Sequence, residues 1–264
     1  RLLFIPWNQN IDYDYHIVGT LAELPVLASF VLIILILSLA IKMLPKYRLL
    51  SFGIFFFFLA LMPESSIIPI ADVIFEHRLY LPMAGYSIFL AGAVYYIFAR
   101  RSRRAMNAAI FIIILLYSAL TYGRNLVWAD GVSLWSDAAH KSPDKGRPYN
   151  NRGFAYLGRQ DPDSAIKDFN KAIELEPGSD AGYYYNLANA YRMKGMQEEA
   201  VSNYSKAVEI DPLFTMAYIQ RAVTYFNKGD YDNSLKDMRK VEGLGCAVPA
   251  SFREKLEKMM KKSR

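Results

Sequence analysis

A single cysteine, Cys246, stands in a chain of 264 residues, so no internal disulfide can form, and no CxxC pair exists to hold zinc. Histidine is nearly as scarce. His16, His77 and His140 are scattered, and neither an HExxH pair nor a glycine-rich phosphate loop occurs. The residues therefore identify no metal site, no nucleotide site and no resident cofactor. Charge is low too, at 21% against 53% hydrophobic residues. The net charge of +6 divides evenly between the two halves, and most of the second half's excess sits in Arg253–Arg264. The repeats themselves are then near neutral, which argues against nucleic acid as a partner, since such a binder shows a concentrated basic face. The chain opens on Arg rather than Met, with no signal peptide before its first apolar run, and reads as the C-terminal part of a longer protein.

Long apolar runs fill the first half instead. Leu21–Ile41, Leu49–Met62, Leu79–Phe98 and Ala105–Tyr122 read as four transmembrane helices within residues 21–123. Soluble helices are rarely apolar all round for such lengths. The second run is short, spanning about 21 Å at 1.5 Å per residue. Positive charge orients the spans. Lys42, Lys46 and Arg48 lie between the first two, and Arg100, Arg101, Arg103 and Arg104 between the last two. Those turns are expected in the cytoplasm. Residues 1–20, an outward loop at 63–79 and everything after Arg124 then lie outside it.

The outward loop carries Glu64, Asp72, Glu76, His77 and Arg78 among Ile67, Ile68, Ile70 and Ile74, with Pro63 ending the helix before it. Its isoleucines favour the headgroup layer over water, which would hold the charged groups near lipid phosphates. Ionisable groups at that depth are costly and often functional. Arg78 offers a bidentate fork to phosphate, and a carboxylate beside a histidine can orient it or shuttle a proton. An ordinary Glu–Arg pair anchoring the third span explains the same residues. In residues 1–20, Trp7, Tyr13 and Tyr15 suit a membrane interface. Asp12 and Asp14 read either as a sugar or cation contact or as a solvated loop.

After Arg124 the chain changes character. Pro143, Pro177 and Pro212 are spaced by 34 and 35 residues, the period of tetratricopeptide repeats. Tyr149, Gly153, Tyr156, Ala165, Phe169 and Ala172 in the first period recur as Tyr184, Ala188, Tyr191, Ala200, Tyr204 and Ala207 in the second. The third keeps Tyr218, Ala222, Tyr225 and Gly229, then drifts to Ser234, Met238 and Val241. Small residues let the paired helices approach, and aromatics fill the gap. The expected layout is a linker and half-repeat helix over 124–145, three repeats over 146–247 and a basic capping helix over 248–264. The fold class is thus all-α, membrane helices followed by a solenoid.

Stacked repeats form a groove lined by the first helix of each pair. Asn151, Asn186 and Gln220 occupy one position in the three repeats, and Asn150, Tyr185, Asn189 and Arg192 widen that surface. Side-chain amides each carry a donor and an acceptor, so such a ladder can grip a peptide backbone. Polar positions of no special role read the same way. Asn203-Tyr-Ser is a glycosylation acceptor pattern.

The loop Glu76-His-Arg-Leu-Tyr-Leu-Pro82 resembles the late outward loop of the transmembrane and tetratricopeptide-repeat O-mannosyltransferases and their bacterial relatives. Arg124-Asn-Leu-Val-Trp-Ala-Asp130, with Ser133-Leu-Trp135 and Lys141-Ser-Pro143, resembles the linker by which those proteins enter their repeats. The resemblance implies a C-superfamily glycosyltransferase that takes a sugar from a polyprenyl-phosphate carrier and passes it to an acceptor outside the cytoplasm. The family's catalytic acid lies in a first outward loop that these residues do not include, so the catalytic residues stay unassigned. Arg78 with His77 would face the carrier phosphate, positioned by Glu76 or Glu64. The implied partners are the bilayer, a lipid-linked sugar and an acceptor or partner polypeptide. The implied setting is a bacterial inner membrane with the repeats on the periplasmic or extracellular side; an endoplasmic reticulum membrane has the same topology. A non-catalytic, membrane-anchored repeat scaffold for envelope complexes is the competing reading.

Overall fold

The structure is a computed structural model that describes residue 10 and residues 24–62, 80–99 and 101–263. Those residues form helices and turns, and the chain divides into two compact units, Arg1–Leu126 and Val127–Arg264.

The first unit holds α1 (Leu24–Met43), α2 (Arg48–Leu61), α3 (Tyr80–Phe98) and α4 (Arg103–Val127), whose last residue opens the second unit. Three of these are long and apolar enough to cross a membrane, through Val26–Met43, Leu81–Phe98 and Arg103–Val127. The helix over the second expected span, α2, has 14 residues, so the expected four spans reduce to three helices of crossing length and one shorter apolar helix. Residues 63–79, with Glu64, Glu76, His77 and Arg78, lie outside the described residues, as do residues 1–9 and 11–20.

Glycine sets the α2–α3 packing. A Cβ on Gly53 would lie 2.7 Å from the carbonyl oxygen of Gly85, and one on Gly85 would lie 2.6 Å from the backbone nitrogen of Phe57. Small residues at a crossing let two helices gain dispersion energy without a hydrophobic drive, the usual device in lipid. The pairing is antiparallel: Gly92 approaches Leu49 and Leu50, and the rings of Tyr47 and Tyr96 meet edge to face at 5.0 Å. On the other side of α2, the Ser51 hydroxyl donates to the Ala40 carbonyl of α1 at 2.8 Å. The Tyr86 and Tyr117 hydroxyls, 2.9 Å apart, link α3 to α4. The outer faces stay apolar and bare, as at Leu35 and Phe111.

The second unit runs α5 (Gly131–Lys141), α6 (Gly146–Gly158), α7 (Pro162–Leu175), α8 (Ala181–Met193), α9 (Gln197–Ile210), α10 (Thr215–Asn227), α11 (Tyr231–Gly243) and α12 (Ala250–Ser263). Each helix packs on its neighbours in the chain, so α6/α7, α8/α9 and α10/α11 are the three repeats. Their starts are capped where the sequence supplies aspartate. Asp130, Asp161, Asp180 and Asp230 each accept a backbone N–H of the first turn, and Asp130 forms a capping box with Ser133. The turn after each first helix needs a left-handed residue. Gly195 and Gly229 provide it at φ 78° and 81°, while Gln160 is forced to 60° in the first repeat.

Inside each pair the small residues admit the aromatic. Ala165, Phe169, Ala172, Ala200, Tyr204 and Ala207 are fully buried, and Gly153 lets the Phe169 ring sit against the α6 backbone. The segment Gly131–Ser142, where a half-repeat is expected, holds α5, which buries Ala138 and Ala139 and packs on α6. At the other end, α12 closes the array with buried Leu256, with Phe252 against Phe226 and with an Arg253–Glu242 ion pair.

Candidate peptide-binding groove on the repeats

Asn150 and Asn151 sit one turn into α6, and Asn186 sits at the matching place in α8. The Asn186 Nδ2 donates to Asn150 Oδ1 at 3.0 Å, and Asn150 Nδ2 donates to Asn151 Oδ1 at 3.5 Å. The three amides thus form one chain across two repeats. Among the described residues, a donor on Asn151 and an acceptor on Asn186 are left over at its ends. The other sequence-derived residues have different surroundings. Gln220 is half-buried on α10, and among the described residues no hydrogen bond joins it to the asparagines. Tyr185 packs its ring between Tyr204 and Phe214, with centroids 5.8 and 5.1 Å away. The Tyr204 hydroxyl donates to Asn189 Oδ1. Burial pushes that phenol up to about 12, opposed by the Arg192 guanidinium. Arg192 is itself exposed. Asn203 is buried, and its Nδ2 donates to the Glu199 carbonyl at 2.9 Å, so the glycosylation pattern presents no accessible amide.

Sequence reasoning missed a polar motif beneath this surface. Arg152 makes a two-pronged contact with Asp168 at 2.7 Å on each prong and reaches Ser136 at 3.5 Å. Two repeats later Arg221 does the same with Asp237, at 2.7 and 2.8 Å, and with Ser205 at 2.9 Å. Each guanidinium also stacks on the tyrosine three residues before it, Tyr149 or Tyr218, at 5.4 Å. The Asp168 hydrogen bonds raise the Arg152 pKa; for Arg221, burial works against the charge and the Asp237 contacts outweigh it. The spacing Ser-x15-Arg-x15-Asp, present twice, was the available clue. In the middle repeat the matching positions are Leu187 and Asn203, which breaks the pattern. A second clamp is Glu176, which accepts from the Gly146 N–H and from the Tyr183 hydroxyl, each at 2.8 Å. It ties the end of the first repeat to the starts of α6 and α8. Burial and that carboxylate raise the Tyr183 pKa. No group of metal-ligating side chains gathers among the described residues.

Residues 144–212 and 217–244 each match a family model described as tetratricopeptide repeat. They are tetratricopeptide repeats. Protein O-mannosyl-transferase Tmtc3 of Drosophila melanogaster is 28% identical over 137 residues, 50% of this chain and 15% of its own length. Protein O-mannosyl-transferase TMTC3 of Homo sapiens is 26% identical over 136 residues, 51% of this chain and 15% of its own. A Protein O-mannosyl-transferase of Caenorhabditis elegans is 28% identical over 181 residues, 67% of this chain and 26% of its own. The chain thus spans a minor part of each of these relatives. Among solved structures, the crystal structure of MamA protein aligns with a TM-score of 0.40 at 19% identity, covering 43% of this chain and 62% of that one.

Proposed function

We propose that this chain is the repeat-bearing part of an integral-membrane glycosyltransferase. It would move a sugar from a polyprenyl-phosphate carrier to a hydroxyl of an extracytoplasmic acceptor polypeptide held by the repeats. The observation that carries this reading is the similarity to animal O-mannosyl-transferases. The match to the worm protein, at 67% of the chain, is longer than residues 127–264 can hold and so extends into the apolar helices. In the transfer, the acceptor oxygen bonds to the sugar's anomeric carbon and the bond from that carbon to the carrier phosphate breaks. The hydroxyl proton leaves to a base. Negative charge grows on the departing phosphate, and Arg78 with His77 would stabilise it, held by Glu76 or Glu64. Asn150, Asn151 and Asn186 would grip the acceptor backbone, using the free donor and acceptor at the ends of their chain, with Tyr185, Asn189, Arg192 and Gln220 around them. Holding the acceptor beside the donor raises its effective concentration. The setting is a membrane, bacterial inner membrane in the first instance, with the basic turns in the cytoplasm and the repeats on the far side.

The test supplies labelled polyprenyl-phosphate mannose to membranes that hold the intact protein. Label is expected on protein, and Arg78→Ala abolishes it while the chain still inserts. Asn151→Ala with Asn186→Ala raises the acceptor KM about tenfold, the loss of one or two hydrogen bonds, and leaves donor hydrolysis unchanged. No transfer from any polyprenyl-phosphate sugar would sink the reading in favour of the scaffold.

A further inference from the structure

The described part of the first unit carries no acidic residue at all: residues 24–62 and 80–126 contain neither Asp nor Glu. Arg124 near the far end of α4 apart, its cations gather at two turns. Lys42, Lys46 and Arg48 surround the α1–α2 turn, and Arg101, Arg103 and Arg104 surround the α3–α4 turn. The antiparallel α2–α3 pairing, fixed by the Tyr47–Tyr96 contact, brings both turns to one end. All six side chains are exposed, and none makes an ion pair among the described residues. The unit's six acidic residues, Asp12, Asp14, Glu23, Glu64, Asp72 and Glu76, belong to segments that join the helices at Leu24, Met62 and Tyr80. Those are the opposite ends of α1, α2 and α3, about 20 to 30 Å away at 1.5 Å per residue. Among the described residues of this unit, nothing offers that end a counter-charge.

Aromatic rings frame the same end. Tyr47 packs on Tyr96, which meets Tyr95 at 5.6 Å, and the Lys46 ammonium lies 5.2 Å from the Tyr47 ring centroid. Tyr95 and Tyr96 are exposed. Tyrosines with lysine and arginine at the end of an apolar helix bundle match the headgroup level of a bilayer, where phosphates lie. We infer that this end is a binding surface for anionic phospholipid headgroups, held by Lys42, Lys46, Arg48, Arg101, Arg103 and Arg104 with Tyr47, Tyr95 and Tyr96 as the interfacial frame. The inference rests on the membrane reading of the first unit and on nothing in the transfer reaction.

The full chain, delipidated in neutral detergent, is titrated with phosphatidylglycerol or phosphatidylcholine and the bound lipid is counted by native mass spectrometry. Phosphatidylglycerol should be retained at least about tenfold more strongly, since each basic group near the surface adds to the attraction. Raising the salt should erase the difference. Lys42→Gln/Lys46→Gln/Arg48→Gln and Arg101→Gln/Arg103→Gln/Arg104→Gln should each lose most of the preference, while Lys42→Arg/Lys46→Arg keeps it. Lys258→Gln/Lys261→Gln/Lys262→Gln, on α12, should leave it unchanged. Micelles have no sides, so an inverted topology does not disturb the result, and circular dichroism checks folding. Equal retention of the two lipids, or full retention by both glutamine variants, overturns the inference. Binding of heparin without any preference for phosphatidylglycerol overturns it in favour of a polyanionic macromolecule. A chain that stays monomeric without detergent overturns the membrane reading itself, whatever the transfer assay gives.

Discussion

In the first unit α2 and α3 meet backbone to backbone at Gly53 and Gly85, and the outer faces are bare leucine, isoleucine and phenylalanine. In the second unit the helices are held by buried alanines and aromatics, by aspartate caps and by two Arg–Asp pairs under the surface. The same secondary structure is stabilised twice by different means because the surroundings differ. In lipid an apolar side chain gains nothing by leaving the solvent, so close packing of glycine must supply the attraction. In water the burial of Phe169, Tyr204 and Leu256 supplies it directly. Polar clamps then fix which helix stacks on which.

The largest effect is expected where no side chain can yield. Gly85→Leu drives a Cβ into the backbone of Phe57 and should cost more than ~3 kcal/mol, separating α2 from α3. Unfolding of the full chain in micelles measures it, and a loss under ~1 kcal/mol would mean that the hairpin is not glycine-packed. Next in size is Asp237→Ala, which strands the Arg221 guanidinium, 14% exposed, and should cost about 2 kcal/mol. Replacing both partners with leucine and asparagine, the residues of the middle repeat, should cost under ~1 kcal/mol. That contrast separates a stranded charge from a lost contact. Smaller and opposite in sign, Gln160→Gly removes a left-handed strain and should raise stability by about 1 kcal/mol. The smallest effect is on pH. Hydrogen bonds from the Ser133 and Val132 N–H groups hold Asp130 below its usual range, and the Ser164 hydroxyl and N–H do the same for Asp161. A depressed carboxylate adds stability above its unfolded value of about 4 and loses it as pH falls through the folded value. The Tm of the second unit's transition should therefore drop below about pH 4, and Asp130→Asn with Asp161→Asn should flatten that drop.

The repeats were legible because their period is carried by residues that touch within one helix pair: Gly153 under Phe169, or Ala188 beside Tyr204. The Arg152–Asp168 pair was not, since its partners are 16 residues apart on different helices and the middle repeat omits them. The end of α4 lies three residues past Arg124. Charge begins at Arg124, but the helix runs to Val127 and the next starts only where Asp130 caps α5. A long cationic side chain does not stop a helix; an aspartate cap starts a new one. Span length was read correctly as short for α2, and its partner could not be read, because the glycine contact that pairs it with α3 depends on geometry across residues 53 and 85.

The proposed transfer requires the basic turns and the repeats to lie on opposite sides of the membrane. Cys246, exposed and the chain's single cysteine, is a ready probe. In intact spheroplasts a membrane-impermeant maleimide should label Cys246 at once. A Cys246→Ser chain with Ser102→Cys, in the α3–α4 turn, should label only after permeabilisation. Protection of Cys246 with immediate labelling at residue 102 would contradict the account, placing the repeats in the cytoplasm and removing the acceptor side of the proposed transfer.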